Sequence, residues 1–287
     1  MLYGLLFQTV AQALLDIARD PKHLGAELGF LTVLHTWGQQ LHHHPHLHCV
    51  IPAGGLAPNG DRWVPCRPHF FLPVKVLSRR FRHLFLATLR HAFTRGDLTF
   101  AGACQPLAVP QAWYRFLAML HTTEWVVYAQ EPLPTSQHVL KYLARYTHRV
   151  AIANQRLVAL EEGHVTFRWK DYKHGNQLRM ITLDALEFLR RFLLHILPRG
   201  FQRIRQYGFL ANRVRQEKLV RCRALLAHLS VPRPADAVVV SEKEAAPAEP
   251  VVGCPVCQRG RMQRVETLYP HPAARNLSMP LPVFDTS

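Results

Sequence analysis

The chain has 287 residues, 48% of them hydrophobic, which is enough to bury the core of one large domain or two small ones. Its 35 Lys and Arg residues against 19 Asp and Glu give a formal net charge of +16, which favours a polyanionic partner such as DNA or RNA. No apolar run approaches the roughly 20 residues that a membrane span needs, and the first segment predicts a helix rather than a signal peptide, so we expect a cytoplasmic protein without a membrane partner.

The first elements along the chain are a helix and two strands, the second of them rich in histidine. The helix covers the first twenty residues and ends near Asp20. Residues 30–37 predict a strand, residues 42–45 (HHHP) a turn, and residues 46–51 (HLHCVI) a strand that pairs with the first. Because residues i and i+2 of a strand face the same side, His46 and His48 project together. Two imidazoles on one rigid face can hold a divalent metal.

Helices and short strands are predicted next. An Asn-Gly-Asp turn at 59–61 joins two short strands, and apolar residues at helical spacing predict helices over 75–95 and 111–121. Residues 124–129 alternate as a strand does, and Ser136 can cap a helix that runs to residue 149.

Two tyrosines lie four residues apart on that last helix. Tyr142 and Tyr146 therefore emerge from one face. Basic residues surround them: Lys141, Arg145, His148 and Arg149. Packing of either ring against the core is the alternative interpretation. A tyrosine with an unperturbed pKa of about 10 is a weak nucleophile at neutral pH, so a phosphate that it attacks needs activation by a metal at the histidine pair.

The C-terminal part is basic and then changes composition. A hairpin over 164–183 and an amphipathic helix over 184–196 precede a basic, partly helical stretch at 199–223. Its arginines, which alternate with aromatic residues as in proteins that bind single-stranded DNA, include Arg203, Arg205 and Arg213. A solvated helix face over core aromatic residues is the alternative. Pro, Ala and Glu then dominate the sequence, which predicts a linker over 232–252 between a domain at 1–231 and a tail at 253–287.

One pair of cysteines in the tail has metal-binding spacing. Cys254 and Cys257 form a CxxC knuckle that can present two thiolates to Zn²⁺, which is half of a structural zinc site. A redox pair is the alternative, although no thioredoxin-like pattern surrounds these cysteines.

The histidine pair together with the tyrosine pair resembles the HUH endonuclease superfamily in its two-tyrosine form. The stretches VLHTWGQQLHHHPHLHCVIPAGG and VLKYLARYTHRVAIANQRL, with the CPVC knuckle, resemble transposases of rolling-circle insertion sequences, in collinear order over about residues 1–260. The resemblance implies an α+β fold with an HUH-type central antiparallel sheet, flanking helices, a basic helical C-terminal part and a small CxxC tail. It also implies cleavage and joining of single-stranded DNA with Mg²⁺ or Mn²⁺.

The same resemblance implies roles for individual residues. His46 and His48 would be metal ligands, and Tyr142 and Tyr146 would be the nucleophiles that form 5′-phosphotyrosine. For a third ligand we predict His35 first and His138 second. Single-stranded DNA is the expected partner, and a homodimer is left open.

Two other functions are weighed against this one. Such transposases carry an N-terminal zinc module that this sequence does not contain, so an inactive, truncated transposase that only binds DNA is the first alternative. The segment HPHLHCV also fits a histidine-triad pattern, which would make the protein a nucleotide hydrolase or transferase. That interpretation explains neither the tyrosine pair nor the net charge of +16.

Overall fold

The computed structural model describes residues 1–130, 133, 135–147, 151–172, 174–229, 252–253 and 261–262, without the side chains of 136, 145–147, 228–229, 252–253 and 261–262. The chain divides into two units, 1–231 and 232–287. In the second unit the described residues form one antiparallel pair of two-residue strands. In the described part of the chain, no helix has the length and apolar character to cross a membrane.

The first unit mixes helices with antiparallel strands, as the α+β prediction requires. Its α-helices are α1 (Leu2–Arg19), α2 (Val74–Thr94), α3 (Pro110–Thr122), α4 (Ser136–Thr147), α5 (Ala185–Leu193) and α6 (Arg215–Leu229). Its strands are β1 (Gly29–Trp37), β2 (His43–Val50), β3 (Gly54–Leu56), β4 (Trp63–Pro65), β5 (Leu157–Glu161), β6 (His164–Asp171), β7 (Gln177–Asp184) and β8 (Ile204–Gly208). The pair in the second unit is β9 (Val252–Gly253) and β10 (Arg261–Met262).

The first sheet has the strand order β2-β1-β8, and all its pairs are antiparallel. Strand β8 ends at Gly208, whose φ of 60° favours glycine. A Cβ atom there would lie 1.7 Å from the Leu28 carbonyl oxygen, so no other residue fits this close approach. Helices α1 and α2 contribute to the main core, whose buried members are Ala11, Leu14, Ile17, Ala18, Leu28, Phe30, Leu72 and Leu77.

A second sheet has the order β5-β6-β7 and packs against α5. Phe167 on β6 is fully buried, and Phe188 and Phe192 of α5 lie against its cluster. Asp184 caps α5, because its side chain accepts hydrogen bonds from the backbone N–H groups of Leu186 and Glu187. The same cluster includes Leu41, which lies in the turn between β1 and β2.

The prediction of a turn at residues 42–45 is wrong, because β2 already begins at His43 and includes Pro45. The chain turns earlier, between Gly38 and His42, where Leu41 has a φ of 61°. Strand β2 lies at the edge of its sheet, and a proline without an N–H is tolerated at an edge.

The strand predicted over 124–129 is also wrong, since residues 124–130 have no regular structure. Trp125 instead contacts Phe81 and Phe85 of α2, and its carbonyl oxygen accepts a hydrogen bond from Ser78. The side chain of this tryptophan therefore fixes the segment against a helix, away from any sheet edge. The alternating apolar residues at 124–129 therefore do not pair with another strand.

The stretch at 199–223 is partly helical, as predicted, because α6 begins at Arg215. It also contains a strand that was not predicted, β8 at residues 204–208. The antiparallel pairing of β8 with β1 over Gly29–Val33 satisfies backbone groups that a helix would use internally.

Candidate metal and tyrosine site

Three histidines from two neighbouring strands meet on one face of the first sheet. Strands β1 and β2 pair with His35 opposite His46 and with Val33 opposite His48, so all three histidines face the same side. One nitrogen from each ring lies within 4.8 Å of the other two. The His35 side chain is buried, and its ring stacks on Trp37 with the two centroids 4.5 Å apart.

Hydrogen bonds determine which nitrogens of this group carry protons. A carbonyl oxygen only accepts, so His46 Nδ1, which lies 2.7 Å from the His44 oxygen, is the donor. A neutral His46 then has its lone pair on Nε2, and the hydrogen in its 3.1 Å contact with His48 Nε2 comes from His48. The Nδ1 atom of His48 is left as an acceptor for the Tyr142 hydroxyl at 2.9 Å.

The protein environment favours neutral imidazoles at this site. Burial, and then the neighbouring His35 and His46, lower the pKa of His48 to about 3. Burial also lowers the pKa of His46, against the opposing effect of its hydrogen bond to His44. A metal ion binds the neutral ring, so at neutral pH binding requires no net loss of a proton from these rings, although the His48 proton must move from Nε2 to Nδ1.

The donor set fits a divalent metal ion. The Nε2 atoms of His46 and His48 point at each other across 3.1 Å, and the other nitrogen of His46 is held by a backbone carbonyl, as is usual for a ligating histidine. Three imidazoles favour a first-row transition ion over Mg²⁺, which prefers oxygen ligands. The donor set therefore fits Mn²⁺ or a later transition ion better than Mg²⁺.

Helix α4 brings a tyrosine to the histidines. Tyr142 is half-buried, and its ring centroid lies 6.2 Å from that of His48. The preceding residue, Lys141, is exposed. His138, predicted as the second choice for a third ligand, is exposed one turn earlier and contacts Thr135 Oγ1 through its Nδ1 atom at 2.7 Å. It is not in the histidine group.

Several predicted site residues lie outside the described part of the structure. Tyr146 and Arg145 belong to α4, but their side chains are not described, and Arg149 follows the helix beyond the described residues. Cys254 and Cys257 lie outside it too, as does the linker predicted at 232–252 apart from Val252.

The three predicted arginines of the C-terminal stretch have different environments. The guanidinium of Arg205 on β8 lies 4.2 Å from the ring centroid of Phe7 and 5.7 Å from that of Phe201. Arg203 is half-buried just before β8, whereas Arg213 is exposed just before α6. The cation of Arg205 is therefore already held by two aromatic rings.

The turn before β2 is held by three side chains that sequence reasoning missed. Arg156 donates to the carbonyl oxygen of Gln39. Arg191 donates to that of Gln40 at 3.2 Å, and His195 Nε2 donates to that of Leu41 at 3.1 Å. We call Arg156, Arg191 and His195 the turn clamp.

The turn clamp links the second sheet and α5 to the histidine strand. Arg156 precedes β5, Arg191 lies on α5, and His195 follows that helix. The Nδ1 atom of His195 also contacts Thr36 Oγ1 of β1 at 3.1 Å. Because three consecutive carbonyl groups are held, the clamp restrains the point at which β2 starts and hence its register. No sequence motif marks these contacts, which join residues more than a hundred positions apart.

Comparison with known proteins identifies the family. The family "Putative transposase" (Y2_Tnp) matches residues 29–218, a span that includes β1, β2 and Tyr142. The chain belongs to this family. Transposases act on DNA, which agrees with the partner expected from the net charge of +16.

Two curated transposases are similar to the chain. "Putative transposase y4qJ" of Sinorhizobium fredii (strain NBRC 101917 / NGR234) is 52% identical over 270 residues, which cover 93% of this chain and 68% of that protein. The "Transposase for insertion sequence element IS801" of Pseudomonas savastanoi pv. phaseolicola is 30% identical over 210 residues, which cover 73% of this chain and 49% of that protein. The chain thus spans about two thirds of the first and about half of the second. No solved structure matches it.

Proposed function

We propose that this protein is a transposase that cleaves and rejoins single-stranded DNA through a 5′-phosphotyrosine bond to Tyr142. The observation that carries the proposal is the 2.9 Å contact between the Tyr142 hydroxyl and Nδ1 of His48, a member of the three-histidine group. A hydroxyl beside a metal-binding group is suited to attack a phosphate that the same metal activates. Family membership supports DNA as the substrate.

His35, His46 and His48 would hold the metal ion. When bound, the ion would neutralise charge on the non-bridging oxygens of a DNA phosphate and fix its position for in-line attack. His48 would use Nε2 as its ligand atom, so its proton would reside on Nδ1 and be donated to the Tyr142 oxygen. That hydrogen bond would occupy one lone pair of the tyrosine oxygen, leave another for attack on the phosphorus and stabilise the phenolate.

The cleavage step balances without any further reactant. The Tyr142 oxygen forms a bond to phosphorus, and the bond from phosphorus to the 3′ oxygen of the preceding nucleotide breaks. The proton of the phenol is formally transferred to the 3′ oxygen. The products are DNA joined through its 5′ phosphate to Tyr142 and a strand with a free 3′-hydroxyl, and the reverse reaction rejoins the two. Tyr146 is proposed as a second nucleophile of the same kind on α4.

A covalent-adduct assay tests the proposal. The wild-type protein is incubated with Mn²⁺ and labelled single-stranded oligonucleotides that cover both ends of the DNA element encoding it. We expect an adduct that survives denaturing gel electrophoresis and disappears with chelator. Tyr142→Phe removes only the hydroxyl and should abolish the adduct. If Tyr146 can replace Tyr142 as the nucleophile, only the double variant Tyr142→Phe/Tyr146→Phe should lack the adduct. Tyr128→Phe, at a tyrosine that is 84% exposed, is the matched control.

The outcomes separate the competing functions. His46→Ala and His48→Ala should abolish the adduct while DNA binding persists, because cations elsewhere bind the phosphates. An adduct that survives the double tyrosine substitution would show that the proposed nucleophiles are wrong. DNA binding by the wild type without any adduct would favour the alternative of a protein that only binds DNA, and a phosphohistidine adduct with a labelled nucleotide would favour the histidine-triad alternative.

A further inference from the structure

We infer that the exposed basic face of α2 is a second DNA-binding surface, one that binds the backbone of double-stranded DNA. The inference rests on the proposed function only for the identity of the partner as DNA. It concerns residues remote in sequence from the histidines, from Tyr142 and from the basic stretch at 199–223.

The charge of the chain is concentrated around α2 and α3. Residues 62–123 contain nine Lys and Arg residues and a single carboxylate, Asp97, so this segment holds a net +8 of the total +16. Within α2 itself there are five cations and no acidic residue. A surface of one sign attracts a polyanion along its whole length.

Two of the α2 arginines have structural roles, and the others do not. Arg80 forms an ion pair with Asp16 of α1, and Arg82 donates to the Thr123 carbonyl oxygen at 3.5 Å. Lys75, Arg79 and Arg90 are exposed, and in the described part of the chain no carboxylate pairs with them. These three, with the exposed His83, are called the α2 ridge.

The side chains of the α2 ridge lie within an arc of about 80° on one side of the helix. At 3.6 residues per turn, Arg79, Arg90 and His83 lie about 40°, 60° and 80° around the helix axis from Lys75. The cations span about 22 Å along the axis, and the whole 21-residue helix is about 31 Å long. The major groove of double-helical DNA is about 12 Å wide, so cations spread over about 22 Å can contact phosphates on both sides of a groove.

The aromatic residues of α2 explain why a duplex fits better than a single strand. Phe81 and Phe85 contact Trp125, and Phe93 stacks on Trp113 with centroids 4.8 Å apart. The rings of these three phenylalanines therefore pack against tryptophans of the protein itself. Single-strand binding surfaces expose aromatic rings between the cations so that unpaired bases stack on them. The α2 ridge offers cations without such rings, which suits phosphates whose bases are already stacked in a duplex.

The test compares two triple variants on two forms of DNA. Lys75→Gln/Arg79→Gln/Arg90→Gln removes the ridge charge, and Arg19→Gln/Lys22→Gln/Arg168→Gln removes the same charge at exposed positions outside it. Neither set includes a proposed site residue. The Lys75 substitution should not weaken the helix, because a cation in the first turn opposes the helix dipole. Circular dichroism checks that both variants keep the helical content of the wild type.

Binding is measured by fluorescence anisotropy between about 50 and 200 mM salt, with a duplex of about three helical turns and a single strand of equal length. For a duplex, the slope of log affinity against log salt decreases in magnitude by about 0.9 for each phosphate that a protein cation no longer neutralises. Because the ridge variant lacks three cations, its slope should be smaller in magnitude by about 2.7. Its single-strand affinity and its adduct yield with single-stranded DNA should match those of the control variant.

Two results would overturn the inference. Equal duplex slopes for the ridge variant and the control variant would show that the ridge does not contact DNA. An equal decrease of duplex and single-strand affinity in the ridge variant would show that α2 contributes only to the overall positive electrostatic potential of the protein. Neither result depends on the adduct, whose absence in the wild type would argue against the proposed function and leave the duplex result standing.

Discussion

The Trp37 ring covers one face of the His35 imidazole, with the two planes inclined by 17°. His46 lies on the other strand, with its ring nearly perpendicular to that of His35 at a centroid separation of 5.5 Å. The stacking holds His35 in the orientation that keeps its nitrogen within 4.8 Å of the nitrogens of the pair. The pair His46 and His48 on β2 is thereby completed to a site with three potential metal ligands.

Sequence spacing predicted the pair but could only suggest the third histidine. The i, i+2 rule places His46 and His48 on one face whatever the partner strand does. Whether His35 faces the pair depends on the pairing register of β1 and β2, because a shift of one residue would turn its side chain to the opposite face of the sheet. His138 was the competing choice because it lies one turn from Tyr142, and only the tertiary structure separates the two.

We predict that His35 contributes to metal affinity and His138 does not. His35→Phe keeps an aromatic ring against Trp37 but removes the nitrogen, so the dissociation constant for Mn²⁺ should rise at least about tenfold in titration calorimetry. His138→Phe, at an exposed position, should leave it unchanged. A rise in the second variant and not in the first would move the third ligand to α4.

At the scale of elements, the long periodic segments were predicted correctly, whereas the short segments at 42–45 and 124–129 were not. The apolar spacing at 75–95 gave α2, and the hairpin predicted over 164–183 is formed by β6 and β7. The HHHP segment was misassigned because proline usually ends a strand, while here it lies on an edge strand. The turn clamp could not be predicted, since contacts between Arg156, Arg191 or His195 and a distant turn leave no local pattern.

We predict that the turn clamp supports both stability and metal binding. Arg191→Met keeps an apolar stem but removes the hydrogen bond to the Gln40 carbonyl, which at a charged group contributes about 1.5–3 kcal/mol. Urea unfolding should show a decrease of about that size, and Mn²⁺ affinity should fall because the start of β2 is less restrained. The matched control is Arg190→Met, because both arginines bind Glu187 but Arg190 is 62% exposed while Arg191 is 16% exposed.

The control should leave the free energy of unfolding almost unchanged, as exposed substitutions usually do. If Arg191→Met reduces stability without any change in Mn²⁺ affinity, the clamp supports the fold alone and does not position the histidines. That comparison separates a positioning role from a structural one.

At the scale of the whole molecule, the candidate site joins segments that are far apart in sequence. His48 contacts Tyr142, 94 positions later, and the turn clamp reaches a further fifty positions along the chain. The unfolded chain also lacks the β1–β2 pairing that places His35 beside His46 and His48, so a metal ion that binds all three imidazoles binds the folded protein better. The fold and the metal affinity are therefore thermodynamically linked.

We predict from this linkage that Mn²⁺ raises the midpoint of thermal unfolding. At a free concentration of about 100 times the dissociation constant, binding stabilises the folded state by about 2.7 kcal/mol. A domain of roughly 150–250 residues gains about 2–4 °C for each kcal/mol, so the midpoint should rise by about 5–11 °C in scanning calorimetry. His46→Ala should remove most of this shift, because it deletes the ligand whose proton is fixed on the opposite nitrogen by the His44 carbonyl.

His44→Ala is the matched control, since it removes a neighbouring exposed histidine and keeps the backbone carbonyl that His46 uses. Its midpoint should rise with Mn²⁺ as in the wild type. An equal shift in wild type, His46→Ala and His44→Ala would mean that the metal binds elsewhere in the chain. No shift in any of them, at a concentration where calorimetry detects binding, would mean that metal and fold are not coupled and that the three histidines do not form one site.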